Sequence, residues 1–173
     1  DQSKKEKWKK ILNLLKEKIN LGIAISGNQN YRREQIRKIN LEYFLKLKQF
    51  CKIFIIQKEL YEDDKILVDS DKEILFLGTN HEWVDFLDTS AIVENMDLIV
   101  TIDTSLPHLA SSLNKETVLL LSKPADWRWT ENNETTPDWY DSLRIIRQEQ
   151  KGSWKEPMEE LEQLIKEKKL NRK

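Results

Sequence analysis

The sequence predicts an α/β domain built on a doubly wound, mainly parallel sheet with helices on both faces. Three observations carry that expectation. Short apolar runs (LGIAIS, KIFIIQ, ILFLG, DLIVTI, TVLLLS) recur along the chain, with longer polar or amphipathic stretches between them, as strands alternate with helices in βαβ units. The runs are continuously apolar instead of alternating, the pattern of strands covered on both sides. Several end in small or polar residues that open a turn, such as Ser26-Gly27-Asn28 and Gly78-Thr79-Asn80.

The elements follow in order. Lys4 to Ile19 places Trp8, Ile11, Leu12, Leu15 and Ile19 at spacings of three and four among lysines, an amphipathic helix. Leu21–Ser26 is the first strand, followed by an arginine-rich polar loop. LEYFLKLKQF predicts a helix and KIFIIQ the second strand. YEDDKILVDSDKE reads as a polar connection with at most a short element around Ile66–Val68. Ile74–Gly78 is a strand, and Trp83–Met96 a helix with apolar residues at 83, 86, 87, 91, 92 and 93. DLIVTI is a strand, SLPHLASSLN a helix and TVLLLS a strand. An aromatic loop, KPADWRWTENNETTPDWYDS, precedes a last strand at LRIIR. PMEELEQLIKEKKL closes the chain as an amphipathic helix. The expected organisation is a lead-in helix over 1–20, a Rossmann-like domain over 21–155 and a packed C-terminal helix over 156–173.

At 173 residues and 39% hydrophobic content, the chain suits one domain with a real core. Twenty-nine Lys+Arg against 30 Asp+Glu leave a net charge of -1, so nothing in the global charge argues for nucleic acid or an anionic membrane. Cys51 is the single cysteine, which excludes an intrachain disulfide, disfavours a cysteine zinc site and fits a cytoplasmic setting. No apolar run reaches the length of a membrane span. The chain starts without Met inside a charged helical pattern, and the expectation is a piece of a longer protein.

Open α/β sheets bind ligands beyond the carboxyl ends of their strands, so the chemistry is expected in five short segments. These are Ser26-Gly27-Asn28 with Arg32, Arg33, Arg37 and Lys38; Gln57 and Lys58; Gly78-Thr79-Asn80; Asp103, Thr104, Ser105 and His108; and Lys123, Asp126, Trp127 and Arg128. In the fourth, Thr104 or Ser105 stands where a helix cap belongs. The free amides there suit an anion, and His108 can donate from the first turn. A plain capped helix holding a satisfied core histidine fits the same residues. A glycine allows close backbone approach and guanidinium forks suit phosphate, although an exposed charged loop also explains the first segment. Trp127 and Trp129 flank Arg128, so one can pack inward while Arg128 faces out. Asp69-Ser70-Asp71 matches a D-x-D metal pattern but reads as a surface turn. His81 reads as part of a helix start capped by Asn80 or Thr79. There is no G-x-G-x-x-G, P-loop, Ser-His-Asp order or H-E-x-x-H, which counts against a small kinase or phosphatase.

Taken in order, these segments resemble a known group. GIAISGN resembles G-[IL]-x-W-S-G-N, RKINLEYF resembles R-S-I-P-L-x-x-[FL], and IIQK resembles S-L-Q-K. FLDTSAIVENMDLIVTIDTSLPHLASSLNKETVLLL is similar to F-x-D-T-A-A-[LI]…D-L-V-I-[ST]-V-D-T-S-x-A-H-L-A-G-A-L-G-K-P-V-W-x-L-L. DWRW, WYDS, RIIRQ and GSW resemble D-W-R-W, W-Y-P-S, R-L-F-R-Q and G-D-W. The group is the C-terminal glycosyltransferase-like domain of bacterial tetratricopeptide-repeat proteins, related to glycosyltransferase family 9 (heptosyltransferase-type, GT-B fold). Coverage runs from Leu21 to Trp154. Ile25 replaces the group's Trp, Pro107 its Ala, and residues 111–116 depart from G-A-L-G-K-P.

The resemblance implies the C-terminal half of a GT-B fold, which binds a nucleotide-diphosphate sugar with neither metal nor cofactor. Ser26, Gly27, Arg37, Gln57, Lys58, Asp103, Thr104, Ser105 and His108 are the implied binding residues. Thr104, Ser105 and His108 would take the diphosphate, Arg37 and Lys58 would supply charge, and Asp103 would orient the loop or accept from a sugar hydroxyl. The general base is implied to lie in an N-terminal domain outside this chain. A non-catalytic interaction module that keeps the transferase fold is the alternative.

Overall fold

The computed structural model describes residues 1–129 and 139–171. Helix α1 (Gln2–Leu12) is capped by Asp1, whose side chain accepts from the amides of Ser3 and Lys4. It ends where Asn13 adopts the left-handed conformation, φ 45°. The helix expected to reach Ile19 therefore stops at Leu12, and Ile19 opens the first strand.

Six parallel strands make one sheet: β1 (Ile19–Ala24), β2 (Cys51–Ile55), β3 (Ile74–Phe76), β4 (Leu98–Thr101), β5 (Thr117–Leu121) and β6 (Leu143–Arg147). Their spatial order is β3-β2-β1-β4-β5-β6. Leu21 stands beside Ile53 of β2 and Leu98 of β4, so β1 and β4 are neighbours. The chain builds outward from β1 to β3, then crosses back and builds the other way. The order thus reverses between β1 and β4, and that crevice is where such sheets take ligands.

Alternate strand residues feed two apolar layers. Ile19, Leu21, Ile23 and Ile25 face Leu41, Phe44 and Leu47 of a 3-10 helix (Leu41–Gln49) and Met158, Leu161 and Ile165 of the C-terminal helix (Lys155–Leu170). On the opposite face, Phe54, Ile56 and Ile99 meet Trp8 and Leu12 of α1. The same layer takes Ala91, Ile92 and Val93 of a helix over Phe86–Glu94, and Leu106 and Ala110 of another over Leu106–Ser112. Each buried large apolar side chain contributes about 1.5–3 kcal/mol relative to exposure. Gly22 falls on this second face, where a Cβ would lie 2.6 Å from Ile56 Cδ1 and 2.7 Å from Ile99 Cδ1. Only glycine leaves room for those side chains.

In chain order the helices are α1, α2 (Glu34–Arg37), α3 (Glu62–Ser70), α4 (Phe86–Glu94), α5 (Leu106–Ser112) and α6 (Lys155–Leu170). The segment read as a polar connection is α3. Its buried Asp64 accepts from the Leu41 amide at 2.8 Å, a tertiary tie that local pattern does not reveal. The helix expected from Trp83 starts at Phe86, because Asp85 caps it and forms a reciprocal capping box with Asp88. No helix among the described residues is long and apolar enough to cross a membrane.

Candidate functional site

The exits of β1, β2 and β4 border a cleft of about 980 Å³ at the sheet's reversal point. Ser26 and Gly27 come from the first exit, Gln57 and Lys58 from the second, and Asp103, Thr104, Ser105 and His108 from the third. Arg37 reaches it from α2. All nine residues singled out in the sequence line this one cavity.

Their chemistry differs. Gln57 is buried and its amide is fully used. Oε1 accepts from the amides of Ile25 (2.8 Å) and Ser26 (3.2 Å). Nε2 donates to Ser26 Oγ (2.6 Å) and the Glu59 carbonyl (2.7 Å). With every site of its amide taken, Gln57 ties the exit of β2 to Ile25 and Ser26 at the exit of β1. Arg37 is also engaged. Its Nε donates to Glu34 Oε2 at 2.7 Å, its Nη1 donates to the Asp103 carbonyl, and its guanidinium lies 4.4 Å from the Tyr31 ring centroid. Glu34 is fully buried and accepts from the Gly27 amide at 2.6 Å through its other oxygen. A Cβ on Gly27 would run into Arg37 Nη2, so the missing side chain makes the guanidinium's path.

Lys58 differs. It is exposed, its Nζ donates to the Trp83 carbonyl at 2.6 Å, and it sits 4.0 Å from the Trp83 ring centroid. Among the described residues no carboxylate lies within ion-pair distance of it, so its charge is unmatched. Thr104 Oγ1 accepts from the Leu106 amide at 3.2 Å, a tight turn at the start of α5, and Ser105 beside it is exposed. Ser105 holds the cap position without a side-chain bond.

His108 is bracketed by aromatics. Trp129 stacks on it with centroids 4.9 Å apart and ring planes 20° apart, and Tyr140 meets it edge-on at 5.9 Å. Burial lowers its pKa from the ordinary value, and the nearby Arg128 charge lowers it further. Asp103 opposes the change and does not overcome it. The imidazole is therefore neutral at pH 7.

Several expectations need correction. Of the basic residues after β1, only Arg37 lines the cleft. Arg33 donates to the Pro124 carbonyl, and Lys38 lies over the Tyr61 ring at 3.7 Å. His81 is exposed in a turn, and Asn80 accepts from the Glu82 amide there and does not cap a helix. Asp69-Ser70-Asp71 ends α3 and precedes β3, away from the strand exits, and Asp71 pairs with Lys48. Among the described residues, no three His, Cys, Asp or Glu side chains converge as a metal site. The aromatic loop does divide as its spacing suggests: Trp129 is buried, Trp127 is 78% exposed, and Arg128 lines the cleft. Residues 130–138 of that loop lie outside the described residues.

Sequence reasoning missed Tyr31, Glu34, Trp83, Val84, Phe86 and Tyr140. Glu34 carried a signal in its i, i+3 spacing from Arg37. Phe86 (63% exposed) falls on the apolar face of the expected helix and Val84 (77%) does not, yet both form an apolar edge of the cleft.

No protein-family model and no curated protein sequence matches the chain. Solved structures do. Heptosyltransferase II, an ADP-heptose lipopolysaccharide enzyme of E. coli, superposes with a TM-score of 0.64 at 19% identity, over 97% of this chain and 53% of that one. E. coli heptosyltransferase WaaC with ADP gives 0.60 at 14% identity, over 91% and 47%. A family 9 glycosyltransferase of Veillonella parvula gives 0.59 at 13% identity, over 84% and 40%. The chain spans about half the length of these structural neighbours. At such identities the likeness is one of fold: a six-stranded, all-parallel, Rossmann-like domain of the kind found in these glycosyltransferases.

Proposed function

We propose that this chain is the donor-binding half of a GT-B type glycosyltransferase and takes a nucleotide-diphosphate sugar in the cleft at the sheet's reversal point. The observation that carries the reading is Lys58. Its unmatched ammonium shares one cavity with the hydroxyls of Thr104 and Ser105 and the neutral imidazole of His108. A cation, two hydroxyls and a neutral donor suit a diphosphate, and charge placed there also stabilises a diphosphate as it leaves. Two structural neighbours, the ADP-heptose heptosyltransferase II and WaaC with ADP-2-deoxy-2-fluoro heptose, involve sugars of this chemical class.

In this reading the acceptor and the general base belong to another part of the protein, an N-terminal domain with tetratricopeptide repeats, and the chain acts in the bacterial cytoplasm. Cys51, the single cysteine and buried, is consistent with that setting. Arg37 favours a second reading, an interaction module that keeps the transferase fold without a donor, since Glu34 already matches its charge.

Calorimetric titration with UDP, ADP and GDP separates the two. The donor reading expects one diphosphate to bind, and Lys58→Ala to weaken it about tenfold or more, as loss of a charge-assisted contact does. No binding of any of the three at millimolar concentration overturns the donor reading and leaves the interaction module.

A further inference from the structure

His108 meets the cleft through an imidazole, and a neutral imidazole offers one donor and one acceptor. Which nitrogen carries the proton decides whether the ring attracts or repels a phosphate oxygen. The partner that bears on this is Tyr140, whose hydroxyl lies 3.2 Å from His108 Nδ1. The ring itself is held by the Trp129 stack on one side and the Tyr140 edge on the other. Nε2 has no hydrogen-bond partner among the described residues, and His108 lines the cleft.

We propose that Tyr140 is a positioning residue that sets the tautomer of His108, donating its phenolic proton to Nδ1 so that Nε2–H points a donor into the cleft. A phenol is a better donor than acceptor, because its oxygen lone pairs are shared with the ring, and a neutral imidazole nitrogen is a good acceptor. The reverse arrangement, Nδ1–H to the phenol oxygen, would turn the Nε2 lone pair toward the anion and oppose binding. The charged groups that face the ring among the described residues are Arg128, from the turn after β5, and Asp103, from the exit of β4. Among the described residues neither is hydrogen-bonded to the ring, and the partner of Nδ1 is the Tyr140 hydroxyl. The role in phosphate binding rests on the donor-binding reading. The tautomer itself does not.

The closing experiment uses the full chain with 15N-labelled histidine and the variant Tyr140→Phe, which keeps the ring and removes only the hydroxyl. In the ligand-free wild type, imidazole 15N spectra are expected to show His108 protonated at Nε2 and bare at Nδ1. In Tyr140→Phe they are expected to show a mixture of tautomers, with the thermal melting temperature little changed. The nucleoside diphosphate that binds best is expected to lose about threefold to tenfold in affinity, the worth of one oriented hydrogen bond. A wild-type proton on Nδ1, or a tautomer ratio identical in Tyr140→Phe, overturns the proposal whether or not nucleotide binds. An affinity unchanged in Tyr140→Phe, with nucleotide bound, overturns its role in recognition and leaves the donor reading standing. Failure of every nucleotide to bind overturns the donor reading and leaves the tautomer assignment to the spectra.

Discussion

At the scale of single residues, the cleft separates groups that could bind from groups that only build. Gln57 and Arg37 stand at the right places in the sequence, yet their polar atoms are largely consumed by Ile25, Ser26, Glu34 and Asp103. Lys58 spends one donor on the Trp83 carbonyl and keeps its charge without a carboxylate partner among the described residues, and the Ser105 hydroxyl makes no cap bond. Position along the chain was legible from the strand-exit rule; how each side chain spends its hydrogen bonds was not, since that depends on partners many residues away. Gly27 gives a direct test. Gly27→Ala puts a methyl group on the guanidinium's path and must displace Arg37 from Glu34, so a loss of about 1–3 kcal/mol in chemical denaturation is expected, the range for overpacking. His108 gives a pH test. Its folded-state pKa is lowered by burial and by Arg128, so the unfolded chain takes up the proton first as pH falls. Stability should drop as pH falls from about 6.5 toward the folded-state value and then level off. His108→Gln should lose that part of the slope, measured as melting temperature against pH.

At the scale of elements, α1 is tied to the wall of the cleft through one buried carboxylate. Asp88 accepts from Lys4 Nζ at 2.6 Å, Trp8 Nε1 at 3.2 Å and the amides of Val84 (3.0 Å) and Asp85 (3.3 Å). Burial alone would raise its pKa; these donors outweigh burial and hold the carboxyl well below the usual carboxylate range. Two of the donors belong to α1 and two to the loop whose Trp83 holds Lys58. Asp88→Ala strands Trp8 Nε1 and both amides and leaves Lys4 only its longer contact with Asp85 (3.4 Å), and a loss of about 3 kcal/mol is expected, as for a broken buried ion pair. The same variant should loosen the Trp83–Phe86 segment, read as faster amide exchange there. The sign for pH follows from the lowered pKa: the contribution is intact above the ordinary aspartate value and fades only as pH falls below it. This network also explains why element boundaries were only partly legible. Periodicity ran α1 on to Ile19 and began α4 at Trp83. A left-handed Asn13 stops the first helix, and the Asp85–Asp88 capping box starts the second. Helix α3 was legible only as a short element around Ile66–Val68, because its apolar residues are three in a row, with Ile66 62% exposed. It is held instead by Asp64 beneath Leu41.

At the scale of the whole molecule, the parallel sheet makes the two ends of the strands unequal, and this was the most legible feature of all. Unbroken apolar strands with polar exits imply burial on both faces and a ligand edge on one side. The nine candidate residues, spread from Ser26 to His108, meet at that edge. The opposite edge carries a smaller hollow of about 390 Å³ at the starts of β5 and β6, lined by residues such as Thr117, Asp141 and Arg144. The proposed function assigns the two ends different responses to a ligand. A nucleoside diphosphate at about a hundred times its dissociation constant stabilises the folded state by about 2.7 kcal/mol through mass action. In a domain of this size that raises the melting temperature by about 5–10 °C. Local protection should be lopsided. Amides at the exits of β1, β2 and β4, together with the Trp83–Phe86 loop, should exchange more slowly when the ligand is present. Those at Thr117 and Leu143 should change only as far as global stability does. Hydrogen exchange read peptide by peptide distinguishes the cases. Extra protection at the β5–β6 starts with none at the β1–β4 exits would place the ligand at the wrong end of the sheet. Protection at the exits that disappears in Lys58→Ala would tie the effect to the ammonium of Lys58.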